Sequence, residues 1–263
     1  MAEKLKKHLK VLRFLGIITK TYSPEAEMRK EITDEMLYLS EKDKEQIIEN
    51  HIKNGVFIPM AYGVFIGKNV KISKGAVIFP GSVLTGNTVV GENCHIGPNT
   101  VLYNTTVAEG ASLNSVQGYD CTVSKNADLG PFVHLRPGSS IGESVRLGNF
   151  VEVKNSQIDS GTKVSHLTYI GDSDIGKNVN FGCGCVTVNF TGKEKFRTTV
   201  GDNCFIGCNT NLIAPVKIGD FAYTAAGSTI TEDVPENALG IARARQQNKE
   251  NWVKIKKPYK NTD

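Results

Sequence analysis

Aliphatic residues return every sixth position along much of this chain. Ile66, Ile72, Ile78, Leu84, Val90, Ile96 and Leu102 form one unbroken run. The beat resumes at Leu129, Leu135, Ile141, Leu147 and Val153, and continues through Ile158, Val164, Ile170, Ile175 and Phe181. After an interruption it runs again through Val200, Ile206, Leu212 and Ile218. A glycine often follows the marker, as in Ile66-Gly67, Ile96-Gly97, Ile141-Gly142 and Ile206-Gly207. A helix would need apolar spacings of three and four. A six-residue period predicts an all-β fold, a parallel β-helix of hexapeptide repeats. Each repeat supplies one short strand and one corner, with the marker pointing inward. Three repeats close a triangular coil, so residues about 18 apart stack into columns.

The pattern divides the chain into three. Residues 1–55 lack the beat and read as a helical N-terminal segment. Leu5, Leu9, Leu12 and Leu15 share one helical face, with Lys6, Lys7, Lys10 and Arg13 elsewhere. Ser23-Pro24 reads as a second helix start, and Ser40 as the cap of a third that runs to about Lys53 and stops at Asn54-Gly55. Residues 56–235 are the β-helix, weak near 114–124 and with five-residue turns at 153–157 and 170–174. A polar excursion at 190–199 carries Lys193, Lys195 and Arg197. Excursions from a rigid solenoid are where function concentrates. Residues 236–263 read as a helical tail.

Composition narrows the classes. A net charge of +4 permits a phosphorylated small substrate and is too small to argue for nucleic acid, so no nucleic-acid partner is expected. No segment approaches membrane-spanning length and no adequate signal peptide is present, so the expectation is a cytoplasmic protein with reduced thiols. The six cysteines read as small buried or corner residues rather than metal ligands.

The columns carry the candidate chemistry. Two residues beyond the markers Leu129, Leu147, Val164, Phe181, Ile206 and Thr224 lie Pro131, Asn149, His166, Cys183, Cys208 and Ala226. A groove floored by small residues and ending at an imidazole suits a long thin ligand whose reactive end meets a base. A second column holds His134, Glu152 and Tyr169, and beside it stand Arg136 and Lys154. Stacked cations repel unless an anion lies between them. Arginine's bidentate donors and a lysine point charge suit a phosphate, while Glu152 offers a purely structural balance. Asn180 and Asn189 fall near the same coil edge.

The runs Gly130-Pro-Phe-Val-His-Leu-Arg-Pro-Gly138, Gly148-Asn-Phe-Val-Glu-Val-Lys154, Ser165-His-Leu-Thr-Tyr-Ile-Gly171 and Asn178-Val-Asn-Phe-Gly182 resemble the acetyltransferase domain of the bifunctional GlmU enzymes, as do Thr187-Val-Asn-Phe190 and Asn237-Ala-Leu-Gly-Ile-Ala-Arg243. The resemblance spans roughly residues 60–255. It implies a left-handed β-helix, a homotrimer with active sites between subunits, and acetyl transfer from acetyl-CoA to glucosamine-1-phosphate, without a metal. The product would serve nucleotide-sugar and cell-wall precursor synthesis. By position, His166 matches the general base. Arg136, Lys154, Tyr169, Asn180 and Lys195 match sugar-phosphate contacts, and Glu152 a polar residue beside the base. Asn189, Cys183, Cys208, Ala226 and Arg243 match acetyl-CoA contacts. Cys183 and Cys208 replace the family's usual Ala and Ser, and Phe190 its Tyr. The family's uridyltransferase region has no counterpart in residues 1–55, so uridylyl transfer is not expected. The rivals are another amino-sugar acceptor, a non-catalytic trimeric scaffold, and a zinc site of the γ-carbonic-anhydrase kind. The last would need His95, His134 and His166 to share a column position, and they do not.

Overall fold

The structure is a computed structural model and describes residues 24–256. Short parallel strands stack into three faces. The first face has ten strands, from Phe65–Ile66 to Thr229–Ile230. The second has nine, from Lys71–Ile72 to Val216–Ile218. The third has ten, from Val77–Ile78 to Leu239–Gly240. The markers align in register: Leu84 with Leu102, and Leu129 with Leu147 and then Val164. Ile78, Leu84, Ile96, Leu102, Leu135 and Ile141 are all fully buried. Burying each such side chain stabilises the stack by roughly 1.5–3 kcal/mol. The short turns at 153–157 and 170–174 are absorbed without loss of register, since Val153 pairs with Ile170 and Ile158 with Ile175.

The weak stretch near 114–124 has a physical cause. Gly118 occupies the marker position between Leu102 and Leu135. A Cβ there would come 3.0 Å from Leu102 Cδ2 and 3.3 Å from the Cys121 sulfur. Neighbouring side chains fill the slot, and the aliphatic beat lapses.

Corners need a residue in the left-handed region. Asn, Asp and Ser supply it at Asn104, Asp120, Asn155 and Asp172 between the first and second faces, and at Asn99, Ser115 and Asn209 between the third and first. These types tolerate that conformation. Phe132, Phe150 and Leu167 occupy the same third-to-first corner, also at positive φ.

The N-terminal segment shows helices α1 (Pro24–Tyr38) and α2 (Glu41–Lys53). Ser40 caps α2, its hydroxyl accepting from Asp43 N at 3.1 Å, and Asn54 closes it. The amphipathic stretch at residues 5–15 and the Ser23 cap lie outside the described residues. Helix α1 crosses the first face. Met28 and Ile32 pack with Tyr119, and the Glu35 carboxylate accepts from the backbone N–H of Lys68 and Gly86, each at 3.1 Å. The Glu31 carboxylate accepts from the Tyr103 hydroxyl.

The tail carries the expected helix, but a strand comes before it. The third face takes one more strand, Leu239–Gly240, paired with Tyr223–Thr224. Within the described part of the tail only α3 (Trp252–Lys256) is helical, and residues 257–263 lie outside the described residues. The periodicity hid this coil because its marker slot is Gly240, where a Cβ would come 2.8 Å from Val234 Cγ2. The closing coil is filled from Val234 instead.

The stack leaves no room at Gly148, where a Cβ would lie 2.0 Å from the Ser165 carbonyl oxygen of the next coil. Gly148→Ala must therefore push neighbouring coils apart. Overpacking of this kind costs about 1–3 kcal/mol. A lowered thermal midpoint by circular dichroism is expected, and an unchanged midpoint would mean that the coils are not held this tightly.

Candidate active site

The polar excursion is a hairpin hung from one turn of the stack. Val186 pairs in register with Asn211, a turn of 25 residues where neighbouring turns have 17 or 18. The extra chain leaves the ladder after Val188. Phe190 bridges Lys195 in antiparallel fashion, and Phe196 N donates to Asn189 O at 2.9 Å. The tip is tied by Thr191 N donating to Glu194 O at 3.0 Å, and by Glu194 N donating to the Thr191 hydroxyl at 3.2 Å. Its return limb sets Lys195 against Lys154.

The first face supplies the remainder of a cationic cluster. His134, Glu152 and Tyr169 stack in register, which sets Arg136 and Lys154 in the adjacent row. Arg136 Nη1 lies 2.9 Å from Glu152 Oε1, so Glu152 balances that guanidinium. Lys154 is different. Its contact with Lys195 holds its ammonium below the ordinary lysine value, helped by burial and by the charges of Lys195 and Arg136. Asp172 opposes this. Burial pushes the half-buried Tyr169 phenol up, with Asn189 acting in the other direction through a hydrogen bond.

Asp172 was not among the residues read from the sequence. It is buried, and its carboxylate accepts from the side-chain amides of Asn155 and Asn189, one from the coil on each side. Both oxygens are thus engaged by neutral amides, and the carboxylate's charge still acts on Lys154. The signal lay in the same columns, since Asp172 falls two past Ile170 as Asn155 falls two past Val153. The same pairing recurs at Asn104 and Asp120, at 3.0 Å. Asn189 therefore stands with Tyr169 and the cation cluster.

His166 sits at the third-to-first corner, in register with Asn149, and is exposed. Its backbone carbonyl accepts from the Thr168 hydroxyl at 2.7 Å. From His166 the corner column runs past Cys183, half-buried, to Cys208 and Ala226, both exposed. The Cys208 sulfur lies 2.8 Å from where a Cβ on Gly182 would be, so glycine there makes room for it. Arg243 ends the column, its Cδ 3.9 Å from the Cβ position of Gly227. Behind it, burial raises the Cys185 thiol to about 11. Asn180 stands apart, on the outer side of the third face between Lys163 and Phe205. The imidazole thus stands at one edge of the first face and Arg136 and Lys154 at the other, with Glu152 and Tyr169 between them.

Among the described residues, no group of three or more His, Cys, Asp and Glu could hold a metal ion. No helix among them is long and apolar enough to cross a membrane.

Known proteins share this sequence pattern. The family described as "Bacterial transferase hexapeptide (six repeats)" matches residues 63–104 and 197–232. The bifunctional protein GlmU of Geobacillus sp. (strain WCH70) is 46% identical over 249 residues, covering 93% of this chain and 54% of that protein. GlmU of Staphylococcus epidermidis (strain ATCC 35984) is 52% identical over 224 residues, covering 84% of this chain and 50% of that protein. Among solved structures, the Francisella novicida UDP-N-acetylglucosamine acyltransferase covers 71% of this chain and 67% of its own, at 18% identity and a TM-score of 0.40. That last likeness is too loose to bear on the site. The chain spans about half the length of the GlmU proteins it matches, and over that half it is homologous to them.

The depressed Lys154 ammonium predicts how anion binding depends on pH. A bound anion favours the charged form, so affinity falls as pH climbs through the lowered Lys154 value. Folding stability runs the other way. Between that value and the ordinary lysine range the unfolded chain holds the extra proton, so stability rises with pH. Competitive inhibition by inorganic phosphate, followed against pH, should weaken on the alkaline side. Lys195→Ala removes the main repulsion and should move that loss to higher pH. A profile identical in both proteins would deny the contact.

Proposed function

We propose that this chain, on the premise of its homology to GlmU, transfers acetyl from acetyl-CoA to the amine of glucosamine-1-phosphate. The observation that carries this reading is the convergence of Arg136, Lys154 and Lys195 beside Tyr169, across the first face from His166. Glu152 balances Arg136, while the two ammonium groups brought together at Lys154 and Lys195 favour a multiply charged anion between them, and a sugar phosphate is such a ligand.

In this mechanism the guanidinium of Arg136 and the ammonium groups of Lys154 and Lys195 hold the phosphate. Tyr169 and Asn180 add hydrogen bonds to the sugar, Asn180 from a neighbouring subunit. His166 takes a proton from the sugar ammonium, and the freed amine attacks the thioester carbonyl. The new C–N bond forms as the C–S bond breaks, and CoA departs as its thiol once protonated. A backbone N–H near Cys183 steadies the oxyanion. Asn189, Cys183, Cys208, Ala226 and Arg243 line the path of the acyl donor. Phosphate contacts fix the acceptor's orientation, so binding energy remote from the amine serves the chemical step.

The proposal includes a homotrimer with sites between subunits. Phe132, Phe150 and Leu167 support it. All three take the left-handed conformation, which costs bulky residues about 1–3 kcal/mol each. All three are more than half exposed, and the two phenyl rings stack with centroids 5.2 Å apart. Strain spent on a solvent-facing apolar ridge is consistent with burial against a second copy of the chain.

Two measurements test the reading. Acetyl-CoA consumption should favour glucosamine-1-phosphate over glucosamine by at least about tenfold, the worth of one charge-assisted contact. Lys154→Ala should raise KM for the phosphorylated acceptor alone, and His166→Ala should lower kcat by roughly 10²–10⁴-fold in a folded protein. Equal use of both acceptors by the wild type would sink the phosphate assignment. Separately, Phe150→Asp should shift the assembly to smaller species by light scattering and reduce activity with it. A trimer of normal activity would remove the ridge from the interface.

A further inference from the structure

Lys195 stands where electrostatics alone would not leave it. It approaches Lys154, which already stands beside Arg136, and the like charge of Lys154 pushes the hairpin away from the coil. The hairpin's own bonds, between Phe190 and Lys195 and between Thr191 and Glu194, hold its two limbs together. They do not tie it to the stack.

Arg197 supplies that tie. It lies two residues after Lys195, on the return limb, as the chain re-enters the second face at Thr198–Val200. Its Nε donates to Asp174 Oδ2 at 2.9 Å and its Nη2 to Asp174 Oδ1, a two-pronged contact. The guanidinium also donates to the backbone carbonyls of Asn155 at 3.2 Å and Ser173 at 3.0 Å. One side chain thus grips two successive coils, and Asn155 directly follows Lys154. A lysine offers a single point of donation and could not make this grip.

We propose that Arg197, through Asp174, is a positioning residue that holds Lys195 over Lys154 against their mutual repulsion and so keeps the anion site assembled before ligand arrives. The proposal rests on the phosphate reading of the cluster. It adds a residue which touches no substrate and acts on the acceptor end alone. Pre-assembly spares the ligand the work of gathering the cations.

The test uses the full chain and two independent readouts. Arg197→Ala should raise KM for glucosamine-1-phosphate about tenfold, in line with loss of one charge-assisted contact. It should leave KM for acetyl-CoA and for unphosphorylated glucosamine unchanged. Arg197→Lys should fail to restore the wild-type value, and Asp174→Asn should match Arg197→Ala, with the double variant no worse than either single one. The second readout is tryptic cleavage after Lys193 and Lys195, mapped by mass spectrometry. Cleavage should be slow in the wild type and slower with inorganic phosphate. It should be faster in Arg197→Ala, with phosphate protection weakened. Wild-type cleavage in Arg197→Ala overturns the proposal. So does faster cleavage with an unchanged KM for the phosphorylated acceptor. If the wild type does not distinguish glucosamine-1-phosphate from glucosamine, the acceptor assignment falls, and phosphate protection of the hairpin alone decides the role of Arg197.

Discussion

Every feature of this molecule depends on backbone pairing between consecutive coils. Arg136 N donates to Val153 O at 2.8 Å, and Asp172 N to Lys154 O at 2.9 Å, and similar bonds run the length of the stack. Hydrogen-bonded strands sit about 4.8 Å apart, and side chains in one column inherit that spacing. They cannot drift apart to relieve a clash or a repulsion. Inside the coil this rigidity favours an aliphatic column, where equal side chains pack on one another. Outside, it fixes Arg136 beside Lys154 whatever the cost of like charges.

The same rigidity separates the residues that serve the fold from those that work against it. Asn99, Ser115 and Asn209 make the third-to-first corner with residue types suited to positive φ. Phe132, Phe150 and Leu167 make it against their preference, and at the coils that carry Arg136, Glu152 and His166. Local rules are broken at the coils of the candidate site, and once more at Phe221 in a second-to-third corner; strain of this sort gathers at functional positions.

Much of this was legible in the residues. The six-residue beat named the strands because each marker is a core residue, and the column count paired His134 with Glu152 and Asn149 with His166 as the ladder does. Counting failed where the marker is a glycine. Gly118 blurred one coil and Gly240 concealed the last, because their slots are filled by neighbours rather than by their own side chains. Asp172 was passed over although it lay in a countable column, since a lone aspartate at a corner looks like ordinary turn chemistry. The grip of Arg197 was beyond any count. Its partners Asp174, Ser173 and Asn155 come from other turns, and only the folded hairpin brings them within reach.

The hairpin's attachment separates two kinds of change open to this chain over evolutionary time. Its ends re-enter the ladder in register, Thr187 with Leu212 and Asp174 with Thr199, so the chain between them is not read by the stack. Insertions or exchanges at the tip leave coil folding untouched while altering what the cations meet. The opposite end of the site has no such freedom. Cys183, Cys208 and Ala226 are corner residues of the coils themselves, and Gly182 already lies under the Cys208 sulfur. One end of this site can therefore diversify by drift, while the other changes only with compensation in the next coil.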